Sequence, residues 1–495
     1  MKLFLPPADT EWLLLGIVFT AISAFIVTAE LLRTYFHGSP EITRKIVHIG
    51  IGALIFFAPE VFQSGIPAIL LAVCFIIVNF VAIRFGLLQG MHGTNRISYG
   101  TVYYPMSFLL LVLFFWDSSP NILSISILIL AFGDAAAAIV GENLRSAHIY
   151  YLTSDKKSIE GSLAMFVVTA VTVFFSLHYF DAGYSSGSIA AISIATAVFV
   201  TAWEALSSKG FDNLTVPLSA AFILHYFLVP LPHHLPAQMY TGLLLGVIIA
   251  AVSFYFEFLS RSGSVAVLLL ATFIYGIGGW DWTVPILTFF VFSSAISKYG
   301  KSKKTEYALM FEKSDKRDEG QVAANGGTAG IIIFLWYLFP NNRDLYPIYV
   351  ASLAAVTADT WGTEIGTLFK TFPRSIVTFK KVPPGTSGGI SVAGTAGSFF
   401  GILLIAGSAS LTGAFHLDPS LIAKIVIAGM GGALIDSLLG ATVQAQYQTA
   451  SGTVTEKSFE NETANRLLKG IRIIDNDVVN WSCAVSGGVI MFLLL

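Results

Sequence analysis

Charge is scarce in this chain. Asp, Glu, Lys and Arg make up 12% of its 495 residues, about half the share of a typical soluble domain. A soluble fold could not cover so much apolar surface. The formal net charge of −2 excludes the broad basic face that nucleic acid requires, so no nucleic-acid partner is expected. Cysteine is nearly absent. Cys74 and Cys483 each lie inside an apolar run with no histidine nearby, which argues against a thiolate metal site and a disulfide framework. Both read as small packing residues. No basic stretch precedes the first apolar run at Trp12 and no small-residue cleavage site follows it, so this run is expected to be a span and not a cleaved leader. Walker, kinase glycine-rich and dinucleotide-binding fingerprints are missing too.

What the chain has is hydrophobicity. Apolar residues are 55% of the total, and apolar runs recur from Glu11 to Leu495, many near the ~20 residues that cross a bilayer. The expected fold class is all-α, a polytopic membrane protein with about sixteen spans. The loops between them alternate in charge. One set carries Arg33 to Lys45, Arg84 to Arg96, Arg145 to Lys157, Lys209, Arg261, Lys298 to Arg317, Lys370 to Lys381 and Lys457 to Arg472. Only Lys2, Arg343 and Lys424 of the 28 lysines and arginines fall on the other set. Short basic loops stay in the cytoplasm, so the basic side is expected to be cytoplasmic, with both termini opposite. His233 and His234 fall on that opposite side; adjacent histidines point apart and make a poor metal site.

The chain also repeats itself. Gly100-Thr101, Asp134, Gly141, the Lys157–Ser162 segment and Glu204-Ala205-Leu206 are followed, in the same order, by Gly327-Thr328, Asp359, Gly366, Gly385–Gly389 and Asp436-Ser437-Leu438. Thr to Asp spans 33 residues in one set and 31 in the other, and Asp to Gly spans seven in both. Shared order implies two related membrane units, expected at residues 1–235 and 236–495.

Each unit gathers polar residues at span ends. Asp134 lies in the run ILILAFGDAAAAIVGE. A carboxylate inside a span costs ~2.5–3.5 kcal/mol on insertion scales, so it needs a partner or a function. Asp134, Ala138 and Gly141 share one helical face, and their small neighbours allow close approach. The alternatives are an acid that pairs with another helix and an acid that binds Mg²⁺ or substrate. Next comes SDKKSIEGS, Ser154 to Ser162. Lys156 and Lys157 can neutralise phosphate, Ser158 offers a hydroxyl, Glu160 a carboxylate, and Gly161 can open a helix whose free N–H groups favour anions. Arg44, Lys45 and His48 open an earlier span, with Arg44 and His48 one turn apart; a plain interfacial anchor would look the same. The second unit offers Asp359 and Glu364 in ADTWGTEIG, then KKVPPGTSGG from Lys380 to Gly389. Paired lysines and a glycine-rich stretch suit a phosphate cradle of backbone N–H groups. Asp436 and Gln444 end the next span.

These segments resemble known families. Over residues 40–225, RKIVHIG, SYGTVYYP, GDAAAAIVGE, KKSIEGS and EALSSKGFDNLTVP resemble the CTP-dependent polyprenol kinases: phytol kinase, dolichol kinase and yeast-type diacylglycerol kinase. Over residues 255–445, SRSGSVAVLL, GGWDW, QVAANG, ADTWGTEIG, VPPGTSGGIS and IDSLLGATVQ resemble the plant phytyl-phosphate kinase family. The resemblance implies a bifunctional prenol kinase. The first unit would phosphorylate a long-chain prenol (phytol, geranylgeraniol or farnesol) to the monophosphate, and the second would carry that product to the diphosphate. CTP or another nucleoside triphosphate would be the donor, with Mg²⁺ as cofactor.

It further implies site roles. Mg²⁺ would fall to Asp134 and Glu160, helped by Glu204 or Asp212, and in the second unit to Asp359 and Asp436. Arg44, His48, Lys156, Lys157, Ser158 and Gly161 would hold phosphates in the first unit. Asn325, Lys380, Lys381, Gly385, Thr386, Ser387, Gly388 and Gly389 would do so in the second, with Glu364 a candidate base. The expected location is a prokaryotic inner membrane with active sites facing the cytoplasm. Its partners would be prenol, nucleotide and membrane lipid. A CDP-lipid-forming cytidylyltransferase would share the first-unit motifs. A transporter built from repeats would instead place its acids near the bilayer midplane.

Overall fold

The computed structural model describes residues 2–36, 40–87, 98–144, 146–300, 316–369, 372–413, 415, 418–449, 452, 454–456, 458–460 and 463–495. Parts of the basic loops 84–96 and 298–317, together with Arg145, Lys370 and Lys457, lie outside these residues. The chain divides into two compact units, 1–236 and 237–495. Among the described residues, eleven helices are long and apolar enough to cross a membrane. The sequence suggested about sixteen spans. The difference lies in helices of 16–17 residues, in one long but more polar helix, and in one long helix that is broken in two.

The first unit runs through α1 (Asp9–Phe36), α2 (Pro40–Phe56), α3 (Ala58–Val61), α4 (Ile66–Phe85), α5 (Gly100–Phe115) and α6 (Pro120–Asn143). A hairpin, β1 (Ile149–Tyr151) and β2 (Lys156–Ser158), leads into α7 (Ile159–Tyr179), α8 (Ser186–Leu206) and α9 (Asp212–Leu228). The centre is α6. Ile122, Leu123, Ile125, Ile127, Ile129 and Leu130 are all buried, so this helix is apolar on every side and surrounded by protein. The outer helices expose large apolar side chains such as Phe114 and Phe175, as lipid-facing surfaces do. In α6 the turn Leu130–Asp134 is a π-helix. Such turns are rare and gather at functional sites.

The second unit runs α10 (Pro236–Tyr255), α11 (Arg261–Gly300), α12 (Glu319–Leu338) and α13 (Leu345–Leu368). After the short pair β3 (Arg374–Ser375) and β4 (Gly389–Ile390) come α14 (Val392–Ala409) and α15 (Pro419–Thr442). A small β lobe over residues 446–469 precedes α16 (Asn476–Leu494). α11 is broken at Gly279, where φ is 62° and ψ −154°, a conformation open to glycine and costly for other residues. The central helix is α13, buried from Tyr349 to Ala358. Its neighbours carry glycine where they meet it: a Cβ on Gly432 or on Gly487 would sit 2.6 Å from the Ala355 Cβ. Small residues here let backbones approach closely, which is how helices associate without a hydrophobic driving force.

A local pattern recurs in both units: a central helix bearing an aspartate, an antiparallel strand pair, then a helix capped by serine. Ser158 Oγ accepts from Gly161 N at the start of α7, and Ser391 Oγ accepts from Gly394 N at the start of α14, both at 3.1 Å. A Cβ on Gly161 would meet Ala137 O at 2.7 Å, and one on Gly394 would meet Gly362 O at 2.7 Å. The counterpart of Ser158–Gly161 is therefore Ser391–Gly394, a little beyond the Gly385–Gly389 stretch that sequence order suggested. The cap geometry, invisible in the bare order of motifs, sets the register.

Candidate active site

A cavity of about 780 Å³ opens in the first unit. One end is apolar, with Ile51 and Ile55 of α2, Leu71 and Phe75 of α4 and Phe108 of α5. The other end gathers Arg44, Lys45, His48, Asp134, Lys156, Lys157, Glu204, Lys209 and Asp212. Helical periodicity explains the gradient along α2. Arg44, His48, Ile51 and Ile55 recur at spacings of four, three and four, so one face runs from basic to greasy.

The polar end is organised by two ion pairs. Lys45 Nζ lies 3.6 Å from Asp134 Oδ2 and donates to the Asp134 backbone carbonyl at 3.3 Å. Lys157, delivered by β2, bonds both the Glu204 carboxylate and the Glu204 backbone carbonyl. Lys157 lies outside the spanning helices. Burial draws its ammonium down, but Glu204 and Asp212 more than offset this, and the group sits above the usual lysine range. Asp212 Oδ1 accepts from Asn213 N and Nδ2, each at 2.9 Å. Asp155 Oδ2 accepts from Lys209 N at 2.8 Å.

Several sequence expectations are placed differently. Glu160 is not among the cavity's lining residues; its carboxylate accepts from His148 N at 2.9 Å and pairs with His148 Nδ1 at 2.6 Å. It points away because it opens α7 on the hairpin side. Ser158 is buried and serves as the α7 cap, and Gly161 is the close-packed contact with α6. Glu204 is committed to Lys157. Lys45, not assigned a role from sequence, holds Asp134 directly; the adjacent Arg44-Lys45 pair was the available signal. Asn79 also lines the cavity and belongs to no motif.

Among the described residues no group of three or more His, Cys, Asp or Glu could hold a metal by protein ligands alone. This still suits Mg²⁺, which is ordinarily held by one or two carboxylates plus phosphate oxygens and water. Asp134 and Asp212, both lining the polar end, fit that donor set. Glu160 does not.

In the second unit the side chains of Asp359 and Asp436 lie close enough to interact directly. A cation between two such carboxylates would offset their mutual repulsion. Asp436 Oδ2 is buried without a partner. Ser387 Oγ donates to Glu456 Oε1 at 2.7 Å, bringing the β lobe onto the glycine loop. That loop is tightly built: Thr386 Oγ1 donates to Pro383 O at 2.8 Å, and Gly389 N donates to Thr386 O at 3.0 Å. Gly385 and Gly388 have φ of 83° and 77°, and a Cβ on Gly388 would lie 2.4 Å from the Ala441 Cβ. Lys380 and Lys381 are exposed beside β3.

The structure ties Glu364 elsewhere, to Ser297 Oγ at 3.0 Å. It also acts on Arg317, whose guanidinium burial pulls down to about 10 against the pull of Glu364. Asn325 lines a separate small cavity of about 70 Å³ with Arg317 and Gln321.

The comparisons with known proteins agree with a membrane-embedded architecture. The family described as "Integral membrane protein DUF92" matches residues 244–488. The phytol kinase of Synechocystis sp. is 35% identical over 223 residues, covering 44% of this chain and 93% of that protein. Protein PGR of Arabidopsis thaliana is 30% identical, covering 48% and 90%. The chloroplastic farnesol kinase of Arabidopsis thaliana is 30% identical, covering 37% and 64%. No solved structure matches. The chain is thus an integral membrane protein, and it belongs to the family that includes the Synechocystis phytol kinase.

Proposed function

We propose that this protein is a membrane prenol kinase. The first unit transfers the terminal phosphoryl group of CTP, or another nucleoside triphosphate, to the hydroxyl of a long-chain prenol: phytol, geranylgeraniol or farnesol. The second unit phosphorylates the resulting monophosphate to the diphosphate. One observation carries the first step: a single cavity of about 780 Å³ that is apolar at one end and lined by lysine, arginine and aspartate at the other. A prenol tail needs the apolar end, and a triphosphate needs the cationic one. The names of two relatives, a phytol kinase and a farnesol kinase, support the substrate class.

The chemistry is largely positioning and charge neutralisation. The prenol oxygen attacks the terminal phosphorus, the bond to the bridging oxygen breaks, and the nucleoside diphosphate leaves. A carboxylate of the cavity takes the hydroxyl proton. Arg44, Lys156 and Lys209 face the triphosphate as cations. Lys45 and Lys157 hold Asp134 and Glu204 in place. Mg²⁺, when bound at Asp134 and Asp212, would neutralise phosphate oxygens. In the second unit Asp359 and Asp436 would hold the metal, and Gly385–Gly389 with Lys380 and Lys381 would cradle phosphate. The basic loops support a cytoplasmic side for both reactions.

The test is purified protein with phytol and labelled CTP, products separated by mass. Phytyl monophosphate and then diphosphate, with release of CDP, are expected. A CDP-lipid with pyrophosphate would identify a cytidylyltransferase instead. No lipid product with any prenol or nucleotide would reject the kinase reading.

A further inference from the structure

Arg317 stands just before α12 and lines the small cavity of about 70 Å³ in the second unit. Its backbone is fixed: Arg317 N donates to Phe258 O at 3.1 Å, and Arg317 O accepts from Ser260 N at 2.9 Å. Its guanidinium carbon lies 5.7 and 5.8 Å from the ring centroids of Phe289 and Phe290, and both rings line the same cavity. Glu364 attracts it from α13, the helix that carries Asp359. Among the described residues, however, its side chain makes no hydrogen bond or ion pair. The residue is half-buried, and none of its nitrogens is sealed from open space. Aromatic rings cover the flat face of a guanidinium and leave the N–H donors in its plane free. A cation drawn into such surroundings without an anion beside it is costly.

The cavity says what kind of anion fits. Arg317, Gln321 and Asn325 recur at a spacing of four at the start of α12, so its polar lining lies along one face. Opposite stand Val267, Leu270, Ile286 and Phe289, all apolar. Free phosphate would leave that apolar wall uncovered, and a triphosphate would need more than one cation. With a water taking about 30 Å³ of liquid, the space suits a phosphoryl head with its first carbons. The rest of a chain would continue into the bilayer.

We propose that Arg317 receives the acceptor lipid of the second unit: its guanidinium fork binds the phosphomonoester head of a prenyl monophosphate, and the chain leaves along the apolar wall. The inference deepens the two-step kinase reading and rests on it for the identity of the lipid. It gives the second unit what the paired aspartates and the glycine loop do not, a place for a lipid that is already charged. An unphosphorylated prenol would leave the guanidinium unpaired, so this site favours the product of the first step over its substrate.

The experiment measures binding of radiolabelled farnesyl monophosphate to the full-length protein in phosphatidylcholine nanodiscs, without nucleotide, so that nothing turns over. At a concentration that just saturates the wild type, Arg317→Met should bind about one equivalent less per chain, its site weakened about ten-fold or more. Arg317→Lys keeps a cation beside Glu364 but loses the planar fork, so it should melt as the wild type does and bind with intermediate affinity. Farnesol should bind the wild type and Arg317→Met equally.

Undiminished binding of farnesyl monophosphate to Arg317→Met would overturn the proposal, as would a parallel loss of farnesol binding. So would displacement of the label by equimolar inorganic phosphate, which would mark a free-phosphate site, or by equimolar phosphatidate, which would mark a membrane-lipid site. If Arg317→Met does not fold, Arg317→Lys decides, and wild-type affinity in it overturns the proposal. In turnover, Arg317→Lys should raise KM for supplied farnesyl monophosphate more than it lowers kcat, and should leave farnesol phosphorylation unchanged. A wild type that binds farnesyl monophosphate through Arg317 but never forms the diphosphate sinks the two-step reading and leaves the lipid-phosphate site standing.

Discussion

The Lys157 ammonium is bonded to both the carboxylate and the backbone carbonyl of Glu204, 47 residues further along the chain. The contact pins the hairpin before α7 to the end of α8. Lys157→Met should leave a buried, unpaired carboxylate, at a cost of about 3–5 kcal/mol, seen as a lowered melting temperature. The double variant Lys157→Met/Glu204→Leu should recover most of that stability. The folded-state pKa of Lys157 is raised, so its stabilisation is fully present below the ordinary lysine value of about 10.4 and is lost as pH rises through the higher folded value. The melting gap between wild type and Lys157→Met should hold constant from about pH 7 to 9 and narrow only above about pH 10.4.

Asp134→Asn should abolish monophosphate formation while sparing conversion of supplied prenyl monophosphate. Asp134 faces the cavity and is held by Lys45, whereas Asp359 and Asp436 belong to the other unit. The readout is a product time course with prenol in one tube and prenyl monophosphate in another. Loss of both steps in a folded variant would point to one composite site.

Asp359→Asn should make the enzyme stall at the monophosphate. The proposed second transfer would join an anionic acceptor to an anionic donor, and a cation held between Asp359 and Asp436 would be needed to offset that repulsion. Its loss should slow diphosphate formation on the order of 10²-fold or more. Diphosphate made at an undiminished rate would reduce Asp359 to a packing residue.

Gly161→Ala and Gly394→Ala should each destabilise by about 1–3 kcal/mol, because the new Cβ would sit 2.7 Å from a backbone carbonyl oxygen of the central helix. Melting of each variant in detergent measures it. A melting temperature equal to wild type for both would show that these helix contacts are looser than described.

Much of this was legible from the residues because the membrane imposes strong rules. Scarce charge and long apolar runs leave only a helical, polytopic fold, and an aspartate in each central run marks itself by its cost. The order of motifs also points to the two central helices, α6 and α13. What could not be read is which polar groups pair. Glu160 sits next to Gly161, a lining residue, at the α7 start and turns to His148, while Lys45, one residue from Arg44, reaches Asp134. Such choices depend on helix rotation and hairpin register, which sequence spacing leaves open.

The π turn at Leu130–Asp134 bears on how such a protein can change over time. A spanning helix is fixed at both ends by the bilayer surfaces and has no loop in which to hide an extra residue. A wide turn absorbs one residue locally, so the helix beyond it rotates by about a quarter turn while the segment before it stays in place. The aspartate at the end of that turn is therefore aimed by a change in chain length. In the second unit α13 carries Asp359 through an unbroken α-helix. Two units that share a local pattern could thus point their acids in different directions without exchanging a single side chain.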